Sequence, residues 1–187
     1  MNFIAIPKSN SEHLTELLFS KPQKSFGLKK AACYNLEIRE ADARHFYTLT
    51  ILTKKFFPYA NFSFDEIKRR TSNVNIKYLV AEENHNTIGF TDFEIIPQSP
   101  EGPKRCKLMG LAVLEEHRGK GVARRLVESV IEAAKKADCK KMFLLVADGN
   151  EAAIKLYTSL GFVSKGKTDK KLGEKHVLLM EKSLKSV

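Results

Sequence analysis

The sequence contains no tryptophan, only three cysteines and no long apolar run. Cys33, Cys106 and Cys139 lie far apart without a C-x-x-C pair, so the sequence indicates neither a disulfide framework nor a zinc site. The apolar run at residues 3–6 is too short for the core of a signal peptide, and no run approaches the roughly 18 residues of a membrane-spanning helix. These absences predict a cytoplasmic protein without a bound metal and without a membrane partner.

Basic residues are abundant and unevenly distributed. The 187 residues suit a single domain, and 43% hydrophobic and 29% charged residues are globular values. Residues 1–100 carry 13 Lys and Arg against 11 Asp and Glu, whereas residues 101–187 carry 19 against 11. The second half therefore favours an anionic partner, such as a phosphorylated cofactor, nucleic acid or an acidic protein, unless it is only a solvated lysine-rich surface.

The chain divides into an N-terminal extension, residues 1–33, and one domain, residues 34–187. In the extension, residues 11–19 predict a short amphipathic helix and residues 21–30 a linker. From residue 34 onwards strands alternate with helices. This alternation predicts an α/β fold with a mixed central β-sheet and helices on both faces.

The elements of the domain follow from apolar periodicity and from Gly and Pro breaks. The predicted strands are residues 34–39, 76–82, 87–96, 104–114, 142–146, 162–165 and 176–180. Helices are predicted at residues 41–55, from Ser63, at 121–137 and at 150–160, and Ser63 with Glu66 forms a capping box. A lysine- and glycine-rich loop is expected before the last strand.

Residues 111–123 carry the clearest chemical signal. An apolar strand runs into a basic, glycine-rich turn, and an amphipathic helix starts at once. A helix N-terminus offers unpaired N–H groups and the positive end of the helix dipole. Gly119 and Gly121 allow close approach to the backbone, and Arg118 and Lys120 add charge. The segment predicts a phosphate or pyrophosphate site rather than a helix start with incidental basic residues, although it matches neither common nucleotide-binding motif.

A second motif lies about 30 residues further on. Asn150 stands at a predicted helix start, and Tyr157 lies two turns along the same helix. Taken singly, Asn150 reads as an N-cap and Tyr157 as a core aromatic residue with its hydroxyl at the surface.

Together, the two motifs resemble the GNAT superfamily of N-acetyltransferases. Residues 118–123, RGKGVA, are similar to the R-x-x-G-x-A cofactor loop of that family, and residues 150–162 are similar to its second hallmark. The resemblance extends from residue 34 to residue 180. It implies an acyl-CoA-dependent enzyme that moves an acetyl group from acetyl-CoA to a primary amine.

The resemblance also implies which residues hold the cofactor. These are Leu111, Ala112, Val113, Arg118, Gly119, Lys120, Gly121, Val122, Ala123, Arg124 and Asn150. The Val113 amide would polarise the thioester carbonyl as an oxyanion donor. Tyr157 would protonate the departing thiolate as a general acid.

The general base is where this sequence departs from the family. Related enzymes often carry a carboxylate on one of two strands beside the cofactor, and the matching positions here are Leu145 and Lys107. Glu94, on the predicted strand 87–96, is the substitute that we consider, unless it is only an exposed strand carboxylate. His117 is another candidate by residue type, but its place in the loop predicts that it faces the cofactor phosphates.

The sequence leaves the acceptor open between a protein N-terminus, a lysine and a small amine, and its charge disfavours a polyamine. The acceptor pocket is expected from residues 41–72 and from a loop at residues 166–175. Five aromatic residues could line that pocket or belong to the core: Phe56, Phe57, Tyr59, Phe62 and Phe64.

Two other functions remain open: a catalytically silent acetyl-CoA-binding sensor and, with less support, a nucleic-acid-binding module. No zinc-finger spacing and no aromatic RNA-binding pattern occurs, so a nucleic-acid partner is not expected. A homodimer is a further candidate partnership.

Overall fold

The computed structural model describes residues 35–60, 62–172 and 175–184. The predicted extension at residues 1–33, with its helix and linker, lies outside the described residues. Within the described part of the chain, no helix is both long enough and apolar enough to cross a membrane.

Seven strands and four α-helices make up the described chain. The strands are β1 (Leu36–Glu40), β2 (Ile76–Glu83), β3 (Asn86–Ile96), β4 (Arg105–Val113), β5 (Lys141–Ala147), β6 (Val163–Leu172) and β7 (Lys175–Ser183). The helices are α1 (Phe46–Phe56), α2 (Phe64–Thr71), α3 (Val122–Lys136) and α4 (Glu151–Ser159). Short 3-10 turns at Ala43–His45 and Glu115–His117 precede α1 and follow β4.

All seven strands form one sheet in the order β1-β2-β3-β4-β5-β7-β6. Neighbouring strands are antiparallel except for β4 and β5, which are parallel and joined through α3. Two parallel strands need such a crossover connection, because a tight turn reverses the chain direction and can join only antiparallel strands. The predicted mixed sheet is confirmed.

The helices cover both faces of this sheet, as predicted. On one face, Leu49 of α1 and Ile67 of α2 pack with Phe90 of β3. On the other, α3 packs with β4 and β5 and is joined by α4. The apolar period predicted for α3 is confirmed, because its buried residues are Val122, Leu126, Val127, Val130, Ile131 and Ala134.

Two local predictions at the first helices need adjustment. The helix predicted at residues 41–55 opens with a 3-10 turn capped by Asp42, and α1 starts only at Phe46. Ser63 caps α2 by accepting from the Glu66 amide at 3.2 Å. The Glu66 carboxylate, however, accepts from Arg69 at 2.7 Å, so the ion pair takes the place of the reciprocal half of the predicted capping box.

The lysine-rich loop predicted before the last strand is wrong. Residues 163–172 form β6, which pairs with β7 in a hairpin at the edge of the sheet. An edge strand exposes much of its surface to water, so lysines are tolerated there without an apolar alternation. The strand predicted at residues 162–165 therefore continues to Leu172, through residues whose lysine-rich composition had indicated a loop.

The sheet opens beside the middle of β4. Pairing between β4 and β5 covers only Arg105–Leu108 and Lys141–Leu144. Beyond these residues β4 continues to Val113 and β5 to Ala147, each paired only on its other side. The two strands therefore diverge, and we call the space between their ends the cleft.

Candidate active site

The cleft is lined by backbone N–H groups of β4. The Leu114 amide donates to the Ile88 carbonyl at 2.9 Å, and Val113 faces Gly89 in the β3–β4 register. Alternate residues of an antiparallel strand turn their N–H and C=O groups to opposite sides. The backbone N–H and C=O groups of Val113 and Leu111 therefore point towards the cleft, whereas those of Ala112 point towards β3.

The cleft ends at the N-terminus of α3, which carries no side-chain cap. Gly121, the N-cap residue before the helix, is in a left-handed conformation (φ 82°), and the first backbone hydrogen bond of α3 runs from the Arg125 amide to the Gly121 carbonyl at 3.1 Å. The amides of Val122, Ala123 and Arg124 precede that bond and have no acceptor within the helix. These donors and the helix dipole together suit an anion.

The turn before α3 depends on two glycines. Gly119 and Gly121 have φ values of 74° and 82°, which side-chain-bearing residues rarely adopt. Among the described residues, no atom beyond the two adjoining residues lies within 4 Å of where a Cβ would stand at either position. The loop is therefore held open over the helix N-terminus, and Lys120 between the glycines is exposed.

The charged side chains of this loop act mainly within the protein. Arg118 donates from Nε to the Val113 carbonyl at 3.1 Å, and its guanidinium lies 5.7 Å from the Phe56 ring centroid. Its contribution to an anion site is therefore to fix the loop against β4. The Nδ1 atom of His117 lies 3.4 Å from a carboxylate oxygen of Glu83 at the end of β2, and the expectation that this residue faces the phosphates stays a prediction.

Arg124 connects α3 to α4. Its Nη2 donates to the Ser159 hydroxyl at 2.6 Å, and its Nη1 lies 3.5 Å from Glu128. The side chain therefore points along the outer surface of the helices. At the start of α3, Arg124 contributes its backbone amide to the anion site rather than its side chain.

Tyr157 is buried between α4 and the sheet. Its ring meets Phe162 edge-on, with centroids 5.8 Å apart, within the core cluster that α3 and α4 share. Burial raises the pKa of the hydroxyl well above its usual range, so the phenol is protonated at neutral pH and releases its proton less readily than an exposed tyrosine.

Asn150 forms the N-cap of α4, which confirms the interpretation of this residue as a helix cap. Its Oδ1 accepts from the Ala153 amide at 3.2 Å. The side chain stands after β5, on the far side of the cleft from β4, and its contact with a cofactor stays a prediction.

Comparison with known proteins agrees with this geometry. The profile of the acetyltransferase (GNAT) family matches residues 32–162. This chain belongs to the GNAT family. A rat relative, N-acetyltransferase family 8 member 2, is 29% identical over 101 residues, which are 54% of this chain and 45% of the relative. The chain thus spans about half the length of the curated relatives it matches.

Solved structures share the fold at lower identity. A GNAT-family acetyltransferase from Streptococcus pneumoniae superposes with a TM-score of 0.68 at 22% identity, covering 80% of this chain and 99% of that one. Spermidine N-acetyltransferase from Vibrio cholerae, in complex with CoA and spermine, gives a TM-score of 0.67 at 23% identity, covering 80% and 95%. The predicted fold class and family resemblance are confirmed.

Glu94, the candidate base on β3, faces Lys107 of β4 in the antiparallel ladder of this GNAT domain. Thr91, which faces Leu111, lies three residues away along β3, or about 10 Å of strand. Glu94 therefore stands beside the cleft rather than in contact with its N–H groups. Its role as a base stays a prediction.

Lys107 occupies one of the two positions at which related enzymes often carry a carboxylate and this sequence does not. It is partly buried on an interior strand, and burial lowers its pKa. The Glu94 carboxylate opposes that shift, whereas the charges of Lys170 and Arg70 add to it.

The sequence analysis did not predict a buried polar network that joins α2 to β2 and β3. Arg70 of α2 donates to the Asp92 carboxylate at 2.8 Å and to the Tyr78 hydroxyl at 2.7 Å. Burial raises the pKa of Asp92, and the Arg70 guanidinium opposes the rise. Asp92 faces Gly110 of β4, where a Cβ would collide with the carboxylate. The network fixes α2 to the sheet beside the cleft.

The five aromatic residues near α1 and α2 divide by burial. Phe57 and Phe62 are buried among the residues of α1, α2 and the sheet, which confirms the core interpretation for them. Tyr59 and Phe64 are exposed by 75% and 45%, and Phe56 lies under Arg118.

Proposed function

We propose that this chain transfers the acetyl group of acetyl-CoA to a primary amine by direct attack of the amine on the thioester. The observation that carries this proposal is the continuity of the cleft. Outward-facing N–H groups of β4 at Leu111 and Val113 lead directly to the uncapped N-terminus of α3. A long ligand with an amide-bearing arm and a diphosphate requires these two features in this order.

The residues fit such a cofactor. The amides of residues 119–124 would hold the pyrophosphate, since the glycines leave open space and the helix start leaves donors without an acceptor within the helix. The free edge of β4 at residues 111–113 would pair with the pantetheine arm, mainly through Leu111 and Val113. Acetyl-CoA supplies the acetyl group in activated thioester form.

Two groups of the chain would assist the transfer. The Val113 N–H would donate to the carbonyl oxygen of the thioester, where negative charge develops as the amine attacks. The Tyr157 hydroxyl would give its proton to the departing sulfur. Asn150 would contact the cofactor arm from the α4 side.

The amine must lose a proton before or during attack. An amine with a pKa of about 10.4 is neutral in roughly one molecule in a thousand at pH 7. We propose Glu94 as the base. The register places it five residues along β3 from Gly89, which faces Val113, or about 17 Å of strand, so it would act through a chain of several water molecules.

A cytosolic location is also part of the proposal, because Cys106 and Cys139 are free and buried, which suits a reducing compartment. Imaging of the tagged full chain tests it. Fluorescence enclosed within the secretory pathway would contradict the assignment.

The decisive test of the activity is an amine panel. Purified protein is mixed with acetyl-CoA and with peptides, free lysine and small amines, and released thiol and product mass are measured. Acetylation of at least one amine class is expected. Tight binding of acetyl-CoA without thiol release from any acceptor would instead assign the chain to the silent sensor class.

A further inference from the structure

Two cations stand side by side at the start of β4 and β5. Arg105 and Lys141 are partners in the parallel register of these strands. Their successors, Cys106 and Met142, belong to the core cluster under α3. Because strand side chains alternate between the two faces of a sheet, Arg105 and Lys141 lie on the other face, that of α1 and α2. Among the described residues, the core cluster of these two helices includes residues of β2, β3 and β4 but none of β5.

Arg105 is a partly buried arginine with an unpaired donor. Its Nε is shielded from solvent and has no hydrogen-bond partner among the described residues. Arg70, the other partly buried arginine in the described part of the chain, pairs with the Asp92 carboxylate at 2.8 Å. Leaving a buried donor unpaired costs free energy, so such groups nearly always have a partner in native proteins. The position of Arg105 therefore suits an acceptor that a ligand supplies.

The neighbours of Arg105 limit what that ligand can be. The guanidinium carbon lies 5.9 Å from the ring centroid of Phe143 on β5. Lys141 is about half exposed and lies 4.0 Å from the Glu181 carboxylate, at the limit of an ion pair. Glu94 of β3 lies on the same face of the sheet. An anion bound here would meet two cations and an aromatic ring, with carboxylates close by.

These neighbours favour a carboxylate over a phosphate. The N–H groups of a guanidinium form a fork that matches the two oxygens of a carboxylate. Glu94 faces Lys107, and Glu181 is the distant partner of the lysine on β5, so the charge of Arg105 is the one left uncompensated. A singly charged carboxylate balances it, whereas both glutamates would repel a doubly charged phosphate more strongly. Phe143 offers an apolar surface to the carbon chain of the ligand.

An exposed lysine such as Lys141 would need no explanation by itself, because charged surfaces keep proteins soluble. Arg105 differs, since it is partly buried on an interior strand and has a second cation directly beside it. Like charges next to each other on neighbouring strands destabilise a sheet. An arrangement that costs stability in the free protein and that an anion would relieve is typical of a binding site.

We infer that Arg105 and Lys141 bind the carboxylate of an organic acid whose apolar chain packs on Phe143. Six residues of β4, or about 20 Å of strand, separate Arg105 from Leu111 in the cleft. The acid therefore occupies a site of its own, and the inference does not depend on the proposed acetyltransfer.

Three ligands with the same six-carbon chain test the head group: hexanoate, hexanamide and hexyl phosphate. Each is titrated into the isotope-labelled full chain, and the backbone amide signals are followed by NMR. Hexanoate should shift the signals of Arg105, Lys141 and Phe143 and should bind there about tenfold more tightly than either of the other two ligands. The signals of Gly119 and Gly121, which report on the anion site before α3, should stay in place with hexanoate.

Arg105→Gln should weaken hexanoate binding by about tenfold. Its unfolding temperature in the absence of ligand should not fall, because the substitution removes an unpaired cation. Arg105→Lys keeps the charge without the fork and should bind hexanoate with intermediate affinity. Arg125→Gln, which removes an exposed arginine of α3, makes the same change in net charge and should leave hexanoate binding unchanged.

Equal affinities for hexanoate and hexanamide, or equal losses in Arg105→Gln and Arg125→Gln, would overturn the inference. A marked loss of stability in Arg105→Gln would also overturn it, because Arg105 would then have a structural role. Tighter binding of hexyl phosphate at the same signals would assign the site to a phosphate and refute the carboxylate assignment.

Discussion

Single residues in the cleft divide into those that act through the backbone and those that act through side chains. Leu111, Val113 and the first residues of α3 offer N–H groups, so their side-chain identity matters mainly for packing. Arg118 holds the loop to the Val113 carbonyl. Tyr157 is the residue whose side-chain chemistry the proposed reaction needs most directly.

Tyr157→Phe should lower kcat by about a hundredfold, because it removes the proton donor to the sulfur but preserves the ring that packs on Phe162. The dissociation constant for acetyl-CoA should stay nearly unchanged. Steady-state kinetics and a binding titration measure the two effects. Unaltered kcat would remove Tyr157 from the mechanism.

Gly121→Glu should abolish acetyl-CoA binding. The substitution forces a side chain onto a φ of 82° and sets a negative charge at the helix N-terminus. Gly121→Ala is the matched variant, since it introduces the strain without the charge and should weaken binding only in part. Equal losses in both variants, measured by titration calorimetry, would show that charge at this position is irrelevant.

Glu94→Gln should lower kcat/KM by about a hundredfold at neutral pH. The deficit should shrink as pH rises, because a larger fraction of the amine is then neutral without help. Glu37→Gln, an exposed carboxylate on β1, serves as control. A pH-independent deficit would assign Glu94 a structural role beside Lys107.

At the scale of elements, α2 is joined to the sheet by a buried ion pair. Asp92→Asn leaves the Arg70 charge buried without its carboxylate and should cost about 3–5 kcal/mol of unfolding free energy. Glu66→Gln breaks a more exposed pair on the same helix and should cost less than about 1 kcal/mol. Urea denaturation compares them, and similar losses would contradict the role given to the network.

Elements with strong local signals were predictable from sequence. α3 shows a clear apolar period, and the glycines before it mark the turn, so both the helix and the anion site follow from adjacent residues. The start of β6 was predicted at residues 162–165, but its continuation to Leu172 was not, because its lysines give no alternation at a sheet edge. Arg70, Tyr78 and Asp92 come from three elements, and they meet through the register of β2 and β3 and the packing of α2 on the sheet. No local pattern encodes such contacts.

At the scale of the whole molecule, the account depends on a cleft that passes between β4 and β5 and ends at α3. The net charge of +10 adds long-range attraction for a polyphosphate, which salt screens. Contacts of the backbone amides are short-range and should survive moderate salt.

Calorimetric titration of the folded chain with acetyl-CoA at moderate salt tests this account most directly. We expect one-site association for the unsubstituted protein and none for Gly121→Glu. If folded, unsubstituted protein gives no association with either acetyl-CoA or CoA, the cleft is not a cofactor site and the account is contradicted.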